Sequence, residues 1–339
     1  MGLRRRVTAG LALGLGLALV VLACAPLVNA PGLAVQEPFL GADGFHAADG
    51  AVLPVRSWLP DDRPPNVVIV ALHGFNDYSN FFVAPGLYFA NAGIASYAYD
   101  QRGFGTSPEA GLWPGTGALV ADLRAFARLI RARYPGLPVY LLGHSMGGAV
   151  IMVAEAGNDP PSADGVILAA PAVWGRTTMT WYQRLALWIG AHTLPWVELT
   201  GQGLRIRPSD NIEMLRALGA DPLVLKATRI DAIWGLTNLM DAALESARDF
   251  RAPALILYGE KDEIIPRVPT RTMLERLPPA AAGMRRVAIY GNSYHMLLRD
   301  LGSETPWKDI RQWIADKRAP LPSDADKRTG TWLKAEGGH

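Results

Sequence analysis

Tyr140-Leu141-Leu142-Gly143-His144-Ser145-Met146-Gly147-Gly148 is the stretch around which the rest of this chain reads. Val139 to Leu142 is a short apolar run, expected as a buried strand. Gly143-His144-Ser145-Met146-Gly147 fits the pattern G-x-S-x-G, and Ala149 to Glu155 reads as a helix. A strand that turns sharply into a helix at a serine lifts the hydroxyl clear of the backbone, and a β-carbon at either flanking glycine would crowd the turn. The helix start then sets free N–H groups and a positive dipole end beside Ser145, where an oxyanion would develop. Three fixed positions in five recur by chance. The strand before and the helix after supply the context that makes Ser145 a nucleophile rather than part of a glycine turn.

The same rhythm recurs on both sides. Asn66 to Leu72 is a continuous apolar strand leading into His73-Gly74-Phe75-Asn76-Asp77. Ile94 to Tyr99 is another, ending in Asp100-Gln101-Arg102-Gly103-Phe104-Gly105-Thr106-Ser107. Gly165 to Ala170, Pro253 to Tyr258 and Arg286 to Tyr290 read as further strands, and Ala51 to Leu59 as an early edge strand that tolerates Pro54. Helices are expected over Phe82–Ala92, Thr116–Tyr134, Thr270–Leu277 and Thr305–Asp316. This alternation predicts an α/β fold with a largely parallel sheet covered on both faces. The rhythm breaks at Pro171, and 172–247 reads as helices and loops with no convincing strand. The expected organisation is a leader over 1–30, a core in two parts (31–171 and 248–318), a helical insertion over 172–247 and a loose tail over 319–339. No internal repeat is visible.

The 339 residues, half of them hydrophobic, suffice for one large domain with an insertion or for two small ones. The net charge is +2 and the 33 basic residues are dispersed, which argues against nucleic acid as a partner. The leader combines Arg4-Arg5-Arg6 with an apolar run from Val7 to Ala23, then Cys24, the only cysteine. It reads as a cleaved secretory signal, as a lipoprotein leader with Cys24 as the lipidated N-terminus, or as an uncleaved helical anchor. All three place the folded domain outside the cytoplasm, either membrane-anchored or periplasmic or secreted. A lone cysteine allows no intrachain disulfide, so stability must come from the core.

A serine hydroxyl needs a base, and the base needs an orienting carboxylate. Ser145, Asp262 and His295 occur in that order, each in a loop directly after a predicted strand, and parallel strands bring such loops to one edge of the sheet. Glu260 and Glu263 compete with Asp262 as the acid; Asp262 is favoured because a short side chain in a tight turn is held rigidly. His46, His73, His144, His192 and His339 are weaker bases by position. The oxyanion hole is expected from the N–H groups of Met146 and Phe75. Asp100 and Arg102 read as a structural turn. The chemistry needs no metal and no organic cofactor. In the insertion Trp181, Leu185 and Trp188 share a helical face that either lines an acyl tunnel, touches a lipid surface or packs the insertion onto the core.

Taken together, His73-Gly74, Tyr99 to Ser107, Gly143 to Gly148, Asp221-Pro222-Leu223, Gly259-Glu260-Lys261-Asp262 and Tyr294-His295 resemble the monoacylglycerol lipase and lysophospholipase branch of the α/β-hydrolase superfamily over about residues 48–317. The resemblance implies an eight-stranded, mostly parallel sheet and a helical cap, here 172–247, inserted before the acid-bearing strand. It carries Ser145, Asp262 and His295 over as a triad and Phe75 and Met146 as oxyanion donors. The implied activity is cleavage of carboxylic esters, of monoacylglycerol or lysophospholipid type, through an acyl-enzyme; membrane association is expected separately, from the leader at the N-terminus, with the tryptophan face of the cap as a second candidate contact. The leader and the bulky Phe75 depart from the pattern. Rival readings are other acyl chemistry on the same fold, as in a peptidase, thioesterase or acyltransferase, and a catalytically silent binding protein.

Overall fold

A computed structural model describes residues 25–335 apart from 202, 204 and 281–283. The leader through Cys24, with its proposed lipidation, lies outside the described residues, as do the last four.

Seven strands form the main sheet: β1 (Val55–Trp58), β2 (Val67–Leu72), β3 (Ile94–Tyr99), β4 (Val139–His144), β5 (Gly165–Ala169), β6 (Ala254–Gly259) and β7 (Arg285–Tyr290). Their order is β7-β6-β5-β4-β2-β3-β1, and all neighbours are parallel except β1, which runs antiparallel to β3. β3, β4, β5 and β6 are buried along their whole length, which is why they read as unbroken apolar runs rather than alternating ones. One face carries helices α2 (Thr116–Arg133) and α3 (Met146–Glu155); the other carries α1 (Val83–Asn91) and α8 (Glu304–Ala315).

The resemblance implies eight strands; the main sheet has seven among the described residues. The early edge strand splits at Pro54, which has no N–H to donate to a ladder. Val52–Leu53 pairs instead with Phe45–His46, and that with Phe39–Leu40, as a separate antiparallel sheet. The carbonyl of Pro54 still accepts the N–H of Asp100 at 2.9 Å, tying the break to the end of β3.

Between β5 and β6 the insertion holds helices α4 (Trp181–Thr193), α5 (Ile212–Ala220) and α6 (Ile230–Ser246). It also contains a short ribbon not expected from sequence, Glu198–Thr200 antiparallel to Ala227–Arg229. These triplets are too short to show a strand period. α6 buries Ala232, Leu239, Met240, Ala243 and Leu244 in the same core as α3, so the last helix of the insertion is a wall of the domain. α7 (Arg267–Arg276) follows β6. The loose tail expected over 319–339 is corrected for the described part: Ala325–Arg328 makes a helical turn, α9 (Thr329–Lys334) follows, and Leu321, Ala325 and Trp332 are buried. Three apolar residues among polar ones carry no periodic signal, yet they suffice to seat the segment. No helix among the described residues is long and apolar enough to cross a membrane.

Candidate active site

Parallel strands deliver their following loops to one edge, and that edge holds every residue singled out from the sequence between Phe75 and His295 as a catalytic group or oxyanion donor. Ser145 stands between β4 and α3 with φ 52° and ψ −114°, a left-handed conformation that costs a non-glycine residue roughly 1–3 kcal/mol. Surrounding bonds hold it there. Ser145 N–H donates to the Ala169 carbonyl at 2.9 Å, and the Ser145 carbonyl accepts from Ala149 at 3.1 Å and Ala172 at 2.9 Å. The glycine requirement is physical: a β-carbon on Gly143 would lie 2.5 Å from the Gly147 and Gly148 backbone, and one on Gly147 would strike the Leu72 carbonyl.

Asp262 and His295 meet. Asp262 Oδ1 accepts the N–H groups of Ile264 at 2.8 Å and Ile265 at 2.9 Å, which fixes the carboxylate and leaves Oδ2 to accept from His295 Nδ1 at 2.8 Å. With Nδ1 engaged by Asp262, Nε2 is the free ring nitrogen, and Ser145 and His295 line one cavity without a hydrogen bond between them among the described residues. The competing carboxylates are used elsewhere: Glu260 pairs with Arg328 at 2.8 Å, and Glu263 accepts the Arg207 N–H at 2.7 Å.

The loop after β2 is held by His73. Its Nδ1–H donates to the Gly74 carbonyl at 2.8 Å, while Nε2 accepts from Gln101 N–H at 2.9 Å. The His73 carbonyl accepts Gly147 N–H at 3.1 Å, locking this loop to the nucleophile helix. In a trans peptide C=O and N–H point oppositely, so pinning the Gly74 carbonyl also fixes the direction of Phe75 N–H. Neither Phe75 N–H nor Met146 N–H donates to any group among the described residues, which leaves both available to an oxyanion. The Phe75 ring turns away to pack on Phe104 and Trp113. Complete burial pushes the pKa of His73 below the ordinary histidine range.

Several supporting groups escaped sequence reading because their partners are far away in the chain. His144 Nε2–H donates to the His295 carbonyl at 3.1 Å, its ring centroid 5.0 Å from that of His295. Burial drives its pKa well below the usual value, with His295 adding to the effect. Arg299 pairs with Asp77, which lines the cavity. Asp300 accepts Tyr294 N–H and Ser209 Oγ–H, at 2.8 and 2.7 Å, steadying the base-bearing loop. Met296 N–H reaches the Pro208 carbonyl of the insertion at 2.9 Å. Asp100 and Arg102 have the structural surroundings expected of them. Asp100 caps Ser79 and Thr106, and Arg102 forks onto Asp49 and Asp122.

The cavity over Ser145 has a volume of about 410 Å³. Trp174, Leu218, Leu236 and Met240 of the insertion and Ile265 and Met296 of the core loops supply much of its lining, so the insertion closes over the serine with apolar side chains. Trp181, Leu185 and Trp188 do not reach it; they are exposed, Trp181 at 73 %, so neither the tunnel nor the packing reading fits this face. Among the described residues no group of three or more His, Cys, Asp or Glu side chains is placed to hold a metal ion.

A parallel sheet interrupted by a helical insertion, with a serine on a strained elbow sharing one cavity with the histidine of a buried histidine–carboxylate pair, defines a serine hydrolase of the α/β-hydrolase class. The profile of the family described as serine aminopeptidase, S33, matches residues 63–302, and the chain belongs to that family. It is similar to the monoacylglycerol lipase of Mycolicibacterium smegmatis, 27% identical over 278 residues covering 80% of this chain and 95% of the relative. It is also similar to human monoglyceride lipase, 26% identical over 290 residues covering 80% and 89%. The solved structure of a soluble variant of the Saccharomyces cerevisiae monoglyceride lipase with a substrate analogue aligns with a TM-score of 0.69 at 20% identity, over 86% of this chain and 99% of that one.

Proposed function

We propose that this protein hydrolyses monoacylglycerol-type esters through an acyl-enzyme, with Ser145 as nucleophile, His295 as base and then acid, Asp262 as its orienting carboxylate, and the N–H groups of Phe75 and Met146 as the oxyanion hole. The observation that carries the reading is the apolar cavity over Ser145, which suits an acyl chain, joined to the 2.8 Å Asp262–His295 bond. An aminopeptidase, which the family description names, needs an anionic group to hold the substrate ammonium. The only carboxylate among the described cavity residues is Asp77, already paired with Arg299. Lipid esters therefore fit this lining better than peptides. The names of the lipase relatives point the same way.

The deciding experiment is hydrolysis of a panel running from short synthetic esters through monoacylglycerols and lysophospholipids to aminoacyl amides, comparing the protein with Ser145→Ala. Turnover peaking on monoacylglycerols and falling by about 10³-fold or more in the variant is expected. A peak on aminoacyl amides, or activity unchanged in Ser145→Ala, would refute it. The same reading extends to location: an exported protein whose N-terminal segment and exposed cap residues Trp181, Leu185 and Trp188 meet a membrane. Cys24 is the candidate lipidation position if the leader is of lipoprotein type.

A further inference from the structure

The C-terminal segment beyond α8 lies outside residues 63–302, yet it is seated against the strands that carry the acid and the base. β7 is an edge strand, and this strap covers it. Thr329 Oγ1–H donates to the Val287 carbonyl at 2.8 Å, and Arg286 pairs with Asp326 at 2.9 Å. Trp332, 4 % exposed, sits edge-on to Tyr258 with centroids 5.3 Å apart, closing a small core with Ile289. Arg267 lies over the indole at 4.8 Å and donates to the Trp332 carbonyl.

What Trp332 touches gives the strap its significance. Tyr258 is four residues before Asp262, and its hydroxyl donates to the Ile265 carbonyl at 3.0 Å, clasping the loop whose Ile264 and Ile265 amides hold Asp262. That loop is bonded to the base-bearing loop: Glu260 N–H donates to Tyr290 at 2.9 Å and Lys261 N–H to Ser293 at 3.0 Å. Arg328 spans both, pairing with Glu260 and lying against Gly291, where a β-carbon would come within 2.7 Å of its guanidinium. The Arg328–Glu260 pair is exposed and worth little by itself, so the buried indole is the stronger hold.

Resting on the triad reading above, we infer that the strap is a positioning element for the reaction: Trp332, through Tyr258, fixes the loop bearing Asp262 and so the orientation of the His295 ring. A structural role alone would alter how many molecules are folded; a positioning role alters how well each folded molecule reacts. The test uses the full chain with Trp332→Ala, Trp332→Phe and Tyr258→Phe, far below the unfolding temperature. Each is titrated with an organophosphonate to count competent sites, and kcat and KM are measured on one ester. The far-downfield proton resonance of His295 Nδ1–H is followed by NMR. For Trp332→Ala, kcat per competent site is expected to fall about tenfold with KM within about twofold, the resonance broadening. Trp332→Phe should restore most of it, and Tyr258→Phe should show a smaller loss of the same kind. Unchanged kcat per competent site in Trp332→Ala, or in Tyr258→Phe if the former does not fold, overturns the strap alone. A parent protein that is not labelled at Ser145 overturns the triad reading, and the strap with it.

Discussion

At the scale of single residues the site depends on direction more than on identity. Asp262 spends one oxygen on two backbone amides and the other on His295. Asp262→Asn keeps the size but presents an amide where the ring N–H needs an acceptor. Its kcat is expected to fall by about 10³–10⁴ with KM nearly unchanged, read from steady-state kinetics on a soluble ester. His144 makes a second prediction. His144→Gln retains an N–H able to reach the His295 carbonyl and His144→Leu does not, so the leucine variant should be the slower by about tenfold. Both His73 and His144 are held below the ordinary histidine pKa by burial. The folded state thus refuses protons that the unfolded chain accepts below about pH 6.5. Their stability contribution is complete above that pH and is lost as pH falls toward their depressed values, by about 1 kcal/mol per pH unit for each group. Thermal unfolding followed from pH 7.5 to 5 should show a falling melting temperature, with a shallower slope in His144→Gln.

Elements set where such residues meet, and they also store liabilities. α3 begins beside Ser145 and ends at Glu155, an acid in the last turn, where the helix dipole is negative. Its Oε1 is buried without a partner, and burial raises its pKa to about 7. A carboxyl with a raised folded pKa stabilises below about pH 4.5 and loses that contribution as pH rises through 7. Glu155→Gln should therefore raise stability by about 1–2 kcal/mol at pH 8 and by almost nothing at pH 4, measured by urea denaturation. The buried strands were legible because parallel pairing makes them continuously apolar, and the loops after them because Ser145, Asp262 and His295 each follow one. The three-residue ribbon at Glu198–Thr200 and the strap at Trp332 were not. Neither has a repeating pattern, and each exists only because a distant surface receives it. His144 shows the same limit: its partner is the carbonyl of His295, a contact that no local spacing encodes.

The whole molecule presents its apolar cap to solvent. Trp181, Tyr182, Leu185, Trp188, Ile189 and Trp196 are all exposed, an arrangement a soluble monomer avoids unless the surface has a partner. Replacing Trp181 and Trp188 with serine should weaken sedimentation with anionic vesicles about tenfold while leaving kcat on a short soluble ester within about twofold. Equal sedimentation of parent and variant would remove the cap from the membrane account. The division of labour inside the insertion has one more consequence. β5 and β6, which bracket it, are hydrogen-bonded neighbours, Ala169 opposite Leu257, and α6 belongs to the domain wall. The segment from Gly175 to Arg229 is thus a cassette mounted on a fixed dock, joined to α6 through Arg176–Asp241 and to the core loops through Arg207–Glu263, Pro208–Met296 and Ser209–Asp300. Chimaeras that exchange this cassette between homologues should inherit the donor's vesicle binding, since Trp181 and Trp188 lie in it, and keep most of the recipient's chain-length preference, since Trp174, Leu236 and Met240 of the cavity lie outside it.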